Sequence, residues 1–480
     1  MNAALPASGA ARSSLITDAR RITELAWPVF IGQLAVLAFS TIDTVMVARY
    51  AALDLAALAI GSAVYISVFV GLMGVVLAVG PIAGQLFGAR KLPEAGQQLH
   101  QAMWLAFGLS LAGCMLLVFP QPFLALSRAQ PEVAAKVRAY LVALAFALPP
   151  ALLFTAFRGF NNAVSRPKVV MALQLGALLL KLPLNALLVF GLTLATPLGD
   201  LRVPAFGASG CGIATAIVMS AQMLLAWRVL RRDPFYRPFG LQAGGLTPPQ
   251  RASLAGLLRL GVPMGLSIGI EVTGFTFMAF FISRLGATPV AGHQIAVNMV
   301  SVMFMMPLAL ANATGTLVAQ RIGASDQRDA RRIGWHGLQL GVLIAAAMGA
   351  SVYLLRGPLM RAYTHDAVIV AAAMPLLAWV MLFHIADAAQ TIASFTLRAW
   401  RIATVPVIIY ASAIWGVGLG GGYVVAFNVT GLTPLALRGA QGFWSAATAG
   451  LTLAALALCA FLLWVLRSQT GQTSRSTPAS

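Results

Sequence analysis

Residues 24–48 read ELAWPVFIGQLAVLAFSTIDTVMVA. A helix rises 1.5 Å per residue, so about 20 apolar residues cross the hydrocarbon core of a bilayer. This run exceeds that length, and past Glu24 at its start a single residue, Asp43, can carry charge. Eleven further runs of the same kind follow, at 56–82, 98–120, 134–157, 168–193, 208–229, 256–283, 289–318, 334–355, 370–396, 403–427 and 441–466. The pattern is weakest in the fourth, tenth and eleventh, where Pro149-Pro150, Pro375 and the Gly416–Gly422 stretch interrupt it. Twelve spanning helices predict an all-α integral membrane protein.

Composition agrees. The 480 residues are 59% hydrophobic and 9% charged, with mean hydropathy +0.85. A soluble domain typically draws about a quarter of its residues from Asp, Glu, Lys and Arg, so a soluble protein is excluded. The net charge of +19 does not indicate nucleic acid, because the basic residues sit in short loops between apolar runs. Such loops set topology and meet anionic lipid headgroups. One side of the twelve spans collects the N-terminus, the even loops and the C-terminus, and holds 22 of the 32 Lys and Arg. By the bias of basic residues toward the cytoplasm, both termini are expected there, in a bacterial inner membrane. Met1 to Arg21 has no apolar run ahead of its basic cluster, so no cleavable signal peptide is expected. The Ser/Thr-rich tail from Ser468 is expected to be disordered. Cys114, Cys211 and Cys459 lie far apart inside apolar runs and read as small apolar fillers.

The chain repeats. Shifting it by 235 residues brings Pro28 onto Pro263, Ala56 onto Ala291, Ile60 onto Ile295 and Phe69 onto Phe304. The same shift lays Gln85-x-x-Gly88-Ala89 on Gln320-x-x-Gly323-Ala324 without a gap. Later, Phe157-Arg158-Gly159-Phe160 returns as Leu397-Arg398-Ala399-Trp400. Six spans per half is an even number, so both halves enter from one side. This predicts a segment 1–23, a lobe over 24–230, a basic linker over 231–255, a second lobe over 256–466 and a tail over 467–480. The lobes would be related by a pseudo-two-fold axis along the membrane normal, with substrate handled between them.

Of thirteen acidic residues, Asp43, Glu271 and Asp387 fall well inside spans. An ionised side chain at that depth costs several kcal/mol unless paired or hydrated. Lys181 and Asn185 on the fifth span share one face, four residues apart, at a depth Asp43 can reach. They form either a structural ion pair or a carboxylate that takes a proton when desolvated and releases it when Lys181 or water approaches. Glu271 and Asp387 have no basic residue within their own spans, so a mobile cation is their expected partner. Two carboxylates with helix carbonyls and hydroxyls make a hard oxygen site for Na⁺ or a proton; alternatively, two protonated carboxyls bond each other. His384, one turn before Asp387, either tunes it or simply packs, and His293 reads as an ordinary interfacial ring. Met299 and Met303 in the run to Met306 either pack the core or line an adaptable substrate site. Arg158 and Arg398 read as anchors of helix ends at the cytoplasmic face. No Walker A loop, GxSxG, HExxH or CxxC occurs, so no enzyme and no cofactor is expected, and energy would come from an ion gradient.

These residues resemble the multidrug and toxic compound extrusion (MATE) transporters, notably the NorM-like bacterial branch. The likeness runs over about residues 20–466. Its carriers are Pro28 through Thr41-Ile42-Asp43-Thr44, Pro183-Leu184-Asn185, Gly210 through Ala216, Glu271-Val272-Thr273, His293-Gln294, Val318-Ala319-Gln320 and Asp387-Ala388-Ala389-Gln390. The resemblance implies export of cationic or amphipathic drugs in exchange for H⁺ or Na⁺. It implies a cation site at Asp43 in the first lobe and another at Glu271 and Asp387 in the second. Gln294, Met299, Met303, His384 and Gln390 become candidates for the substrate cavity. Where NorM-like chains commonly carry a neutral amide one turn before Asn185, this chain has Lys181, whose fixed charge favours protons over Na⁺ there. Lys181 is also the one base the pattern places at membrane depth, against three acids, which favours cationic cargo. A flippase for lipid-linked precursors would want a more basic cavity, and a receptor or scaffold would have no evident need of the duplication. The chain is expected to act as a monomer among lipids.

Overall fold

The computed structural model describes residues 15–127, 130–196, 199–242 and 244–473. Twelve helices are long and apolar enough to cross a membrane: Leu15–Tyr50, Ala52–Gly88, Leu92–Val118, Pro131–Ala163, Pro167–Phe190, Ala208–Arg232, Arg251–Ser283, Ala287–Gly323, Gln327–Leu354, Ala367–Ala399, Thr404–Ala426 and Ala440–Arg467. They are called spans 1 to 12 below. Each falls on one apolar run of the sequence, but most reach further toward the face that carries the basic residues. Span 1 starts at Leu15 rather than 24, span 2 ends at Gly88 rather than 82, and span 8 ends at Gly323 rather than 318. Hydropathy trims these ends because the last turns are polar, whereas the helix continues while its backbone groups keep their i to i−4 partners. For the same reason the last helix continues to Thr473, through the start of the tail expected to be disordered; residues 474–480 lie outside the described residues.

The interrupted runs are explained individually. Span 4 carries Pro149 and Pro150 within one continuous helix. Span 10 breaks between Ala373 and Leu376, at Pro375. Span 11 passes through a π-helix over Ala411–Gly420, a widened turn typical of functional positions. One departure from an all-helical chain is a short hairpin, β1 (Leu192–Thr196) against antiparallel β2 (Gly199–Val203), between spans 5 and 6. The expected linker is partly folded. A 3₁₀ turn over Pro234–Phe239 buries Tyr236 and Phe239 under the first half, and the Tyr236 hydroxyl donates to Asn161 Oδ1 at 2.5 Å.

The repeat is visible in backbone geometry. Arg90, Ser165, Ser325 and Arg401, each with φ near 60°, stand two residues beyond the ends of spans 2, 4, 8 and 10. A left-handed residue there closes the helix end, and Arg90 and Ser325 obey the 235-residue shift. The halves also exchange their first helices. Ile22 and Ala26 of span 1 pack among Ala309, Ala313, Val318 and Ile333 of the second half. In turn, Gly261 and Gly265 of span 7 lie against the backbone of span 2 at Val75 and Gly71. Buried Asp18 fastens span 1 to span 9, accepting from Arg332 Nε at 2.9 Å and pairing with His336 Nδ1 at 2.7 Å.

The repeated Gln-x-x-Gly motif forms the seam between halves at the basic face. A Cβ on Gly88 would stand 1.8 Å from the Gln320 carbonyl oxygen, and one on Gly323 would stand 1.8 Å from that of Gln85. Gln85 Nε2 donates to the Ala399 carbonyl and Gln320 Nε2 to that of Ala163, both at 2.7 Å. Only glycine permits so close an approach of two helix backbones. Gly88→Ala should therefore hold the seam open. In a chain whose native cysteines are replaced, a thiol placed at Ser301 in the cavity described below should label faster from the basic face; an unchanged rate would refute this.

Candidate functional site

Lys181 and Asn185 lie one turn apart on span 5 and meet Asp43 of span 1. Lys181 Nζ stands 2.9 Å from Asp43 Oδ2, and Asn185 Nδ2 donates to Asp43 Oδ1 at 2.6 Å. The ammonium also donates to Thr215 Oγ1 of span 6 at 2.9 Å and lies 4.9 Å from the centre of the Phe39 ring. Thr215 in turn donates to the Cys211 carbonyl at 2.8 Å. Each carboxylate oxygen of Asp43 thus has one donor, and the buried ammonium has a carboxylate, a hydroxyl and a ring face. Asn185 Oδ1 is buried without a hydrogen-bond partner. The roles of Thr215 and Phe39 were not apparent from the residues alone, since a hydroxyl or ring in a span is unremarkable until a charge faces it.

The second pair lies elsewhere. A cavity of about 520 Å³ lies between the halves and is lined by residues of spans 1, 2, 4 and 5 and of spans 7, 8, 10 and 11. Glu271 and Asp387 both line it; Asp43, Lys181 and Asn185 do not. Asp387 Oδ1 accepts from Gln390 Nε2 at 2.9 Å, and Gln390 also donates to Thr391 Oγ1 at 3.0 Å. Gln390 Oε1 accepts from the Tyr410 hydroxyl. Gln390 therefore stands behind Asp387 rather than in the cavity wall. Among the described residues, Glu271 and Asp387 are not hydrogen-bonded to each other.

Several expectations fail at this cavity. Met299 and Met303 are buried in the second half's core and do not line it, whereas Val297, Ser301, Phe304, Met305 and Leu308 do. Their spacing of three to four residues is one face of span 8, and Met299 and Met303 lie on another. Gln294 is exposed away from the cavity. His384 is fully buried, does not line the cavity, and neither of its ring nitrogens has a hydrogen-bond partner. His293 is core rather than interfacial: 2% exposed, it accepts from Trp444 Nε1 at 3.2 Å.

The largest correction concerns the two arginines. Arg158 and Arg398 were expected as helix anchors at the membrane surface, but both line the cavity. Span 10 continues to Ala399, so Arg398 belongs to the same helix as Asp387, and a mobile cation is not the only positive partner available to the acids. The cavity carries two acids and two bases, so a case for cationic cargo rests on where Glu271 and Asp387 sit and not on an excess of acids. The repeat of Phe157-Arg158 in Leu397-Arg398 was the signal; a hydropathy-trimmed helix end concealed it.

Residues 28–187 and 263–424 match the family described as MatE, one stretch in each half, and the stretches begin 235 residues apart. The chain is 39% identical over 457 residues to a probable multidrug resistance protein NorM of Aromatoleum aromaticum, covering 95% of this chain and 96% of that protein. It is 36% identical over 459 residues to a protein of the same description from Chromobacterium violaceum, covering 94% and 95%. Among solved structures, the eukaryotic MATE transporter AtDTX14 superposes with a TM-score of 0.82 at 18% identity, over 94% of this chain and 96% of that one.

Proposed function

The chain belongs to the MatE family, and from that premise we propose that it exports cationic and amphipathic drugs through the cavity between its halves in exchange for protons. The observation that carries the reading is the placement of Glu271 and Asp387 on one largely apolar, aromatic-bearing cavity shared by both halves. A drug's charge and a proton then compete for the same carboxyls, so protonation from one side favours release of the drug there. The relatives named as multidrug resistance proteins support drugs over lipid-linked precursors as cargo. A fixed ammonium on Asp43 and a guanidinium in the cavity with Glu271 favour protons over Na⁺, since either base would repel a bound metal cation.

The loops rich in Lys and Arg favour a cytoplasmic seam and cytoplasmic termini in a bacterial inner membrane. On that orientation the described state is closed toward the cytoplasm, and alternating access consists of parting the Gln85 and Gln320 seam while the opposite ends meet. Because one chain supplies the whole cavity, a monomer suffices. Cells stripped of their main pumps and expressing the protein should accumulate less of an ethidium-like dye. Equal accumulation despite membrane-inserted protein would overturn the reading, and dye-driven Na⁺ rather than proton flux in proteoliposomes would overturn the choice of ion.

A further inference from the structure

Outside the cavity between the halves, a groove of about 610 Å³ opens between spans 5 and 6 at the basic face. Lys168 is the second residue of span 5 and Arg232 the last of span 6, and with Arg228 they line the groove. One turn deeper its walls are apolar, with Ala172 and Leu173 on span 5 and Leu225 on span 6. The spacing from Leu225 through Arg228 to Arg232 keeps all three on one helix face, and Leu225 is 52% exposed. Trp27 of span 1 marks the level. Its exposed ring is centred 5.8 Å from Lys168 Nζ, and tryptophan concentrates at the membrane–water interface. The acid in the groove, Asp233, is already engaged: Arg166 Nη2 stands 2.9 Å from its Oδ2, and its Oδ1 accepts from the Phe235 backbone N–H at 3.0 Å. Arg231, the neighbour of Arg232, is satisfied as well, donating to the Gln242 carbonyl at 3.2 Å. Lys168, Arg228 and Arg232 have no ion pair among the described residues.

Two guanidinium forks and one ammonium match the oxygens and charge of a phosphate. A free anion has no use for the apolar walls, and an acyl chain alone has no use for three bases. A groove that offers both at headgroup level fits a phospholipid, and basic pockets between spanning helices on the cytoplasmic side are where such headgroups bind. We propose that this groove binds an anionic phospholipid of the adjoining leaflet. Its phosphate lies among Lys168, Arg228 and Arg232, and its acyl chains run along Ala172, Leu173 and Leu225. On the orientation given above, that leaflet is the cytoplasmic one. The lipid joins span 5, which carries Lys181 and Asn185, to span 6, which carries Thr215, and so braces two of the helices that enclose Asp43. The Arg166 and Asp233 pair holds the same two helix ends from the protein side. The site is independent of what the protein exports.

The test takes the full-length protein, stripped of lipid in detergent, and titrates it with phosphatidylglycerol, with phosphatidylcholine of the same acyl chains, and with inorganic phosphate. Native mass spectrometry counts bound lipid, and thermal unfolding reports its effect. Phosphatidylglycerol should bind about tenfold or more tighter than phosphatidylcholine and raise the unfolding midpoint, whereas inorganic phosphate should leave the midpoint unchanged. Each base near an anionic headgroup is worth roughly fivefold in affinity. The triple variant Lys168→Gln, Arg228→Gln, Arg232→Gln should therefore bind phosphatidylglycerol roughly a hundredfold more weakly and bind phosphatidylcholine as before. A control triple, Lys91→Gln, Arg251→Gln, Arg328→Gln, removes the same charge at exposed positions of the same face away from the groove, and should keep nearly all of the affinity. Equal losses in the two triples would reduce the attraction to diffuse charge and overturn the proposal. So would phosphatidylcholine binding as tightly as phosphatidylglycerol, or inorganic phosphate stabilising the protein as well as the lipid does. Should the triple variant not fold, Arg228→Gln alone should lose about fivefold, and an unchanged affinity there overturns the site. No readout involves transport, so failure here leaves the export reading standing.

Discussion

Glu271→Gln and Asp387→Asn should each cut drug-driven proton exchange by about tenfold or more, and the double variant should be little worse than either alone. The factor follows from removing a charge worth at least 1.4 kcal/mol of coupling between drug and proton. Both carboxyls line one cavity, and Asp387 is held from behind by Gln390, itself held by the Tyr410 hydroxyl. Groups that act on one ligand as a unit are non-additive, because the first substitution already removes what the second would. The asymmetry between them adds a second readout. Asp387 is 2% exposed and has a protein donor, so its amide variant puts an NH₂ or carbonyl where Gln390 points and should lose some thermal stability. Glu271 has no such donor among the described residues, and its glutamine variant should fold as wild type does. Independent, multiplicative losses of exchange would sink the shared site.

Asp43→Asn should lower stability by about 3–5 kcal/mol, the usual cost of stripping the partner from a buried ion pair. The Lys181 side chain is 3% exposed, and without the Asp43 charge it keeps, among the described residues, the Thr215 hydroxyl, the Phe39 ring and at most a neutral amide oxygen. Lys181→Met in the same chain should restore most of the loss, since a buried pair replaced by apolar groups of similar size is often neutral. Neither variant should transport with the wild-type pH profile if Asp43 exchanges a proton against Lys181. Thermal unfolding in detergent separates the structural from the coupling role: a double variant that is stable but uncoupled supports the switch, and one with an unaltered pH profile reduces the pair to a strut. Lys181→Asn tests the other half, because without the fixed ammonium the site should become sensitive to Na⁺.

Much of this was legible before any coordinates. A bilayer core has one thickness and no water, so every backbone group must be satisfied within a helix long enough to cross. That constraint acts along the chain, and the twelve runs, the even number per half and the 235-residue shift could be read directly. Three acids stood out for the same reason, since charge at depth is rare whatever packs beside it. The Asp43 and Lys181 encounter was also within reach, because depth along two helices is a linear coordinate. What the chain could not reveal was rotation about each helix axis and the true helix ends. Rotation put Met305 and Phe304 in the cavity wall and Met299 and Met303 in the core, though all four lie in one apolar run. The extension of span 10 by a few residues carried Arg398 from an expected surface anchor to the cavity lining, and turned an acid-rich cavity into one with both signs of charge. Hydropathy reports how far a residue lies from water along the sequence; only the packing of helix against helix decides which side of the helix faces a neighbour, and which faces the space between the halves.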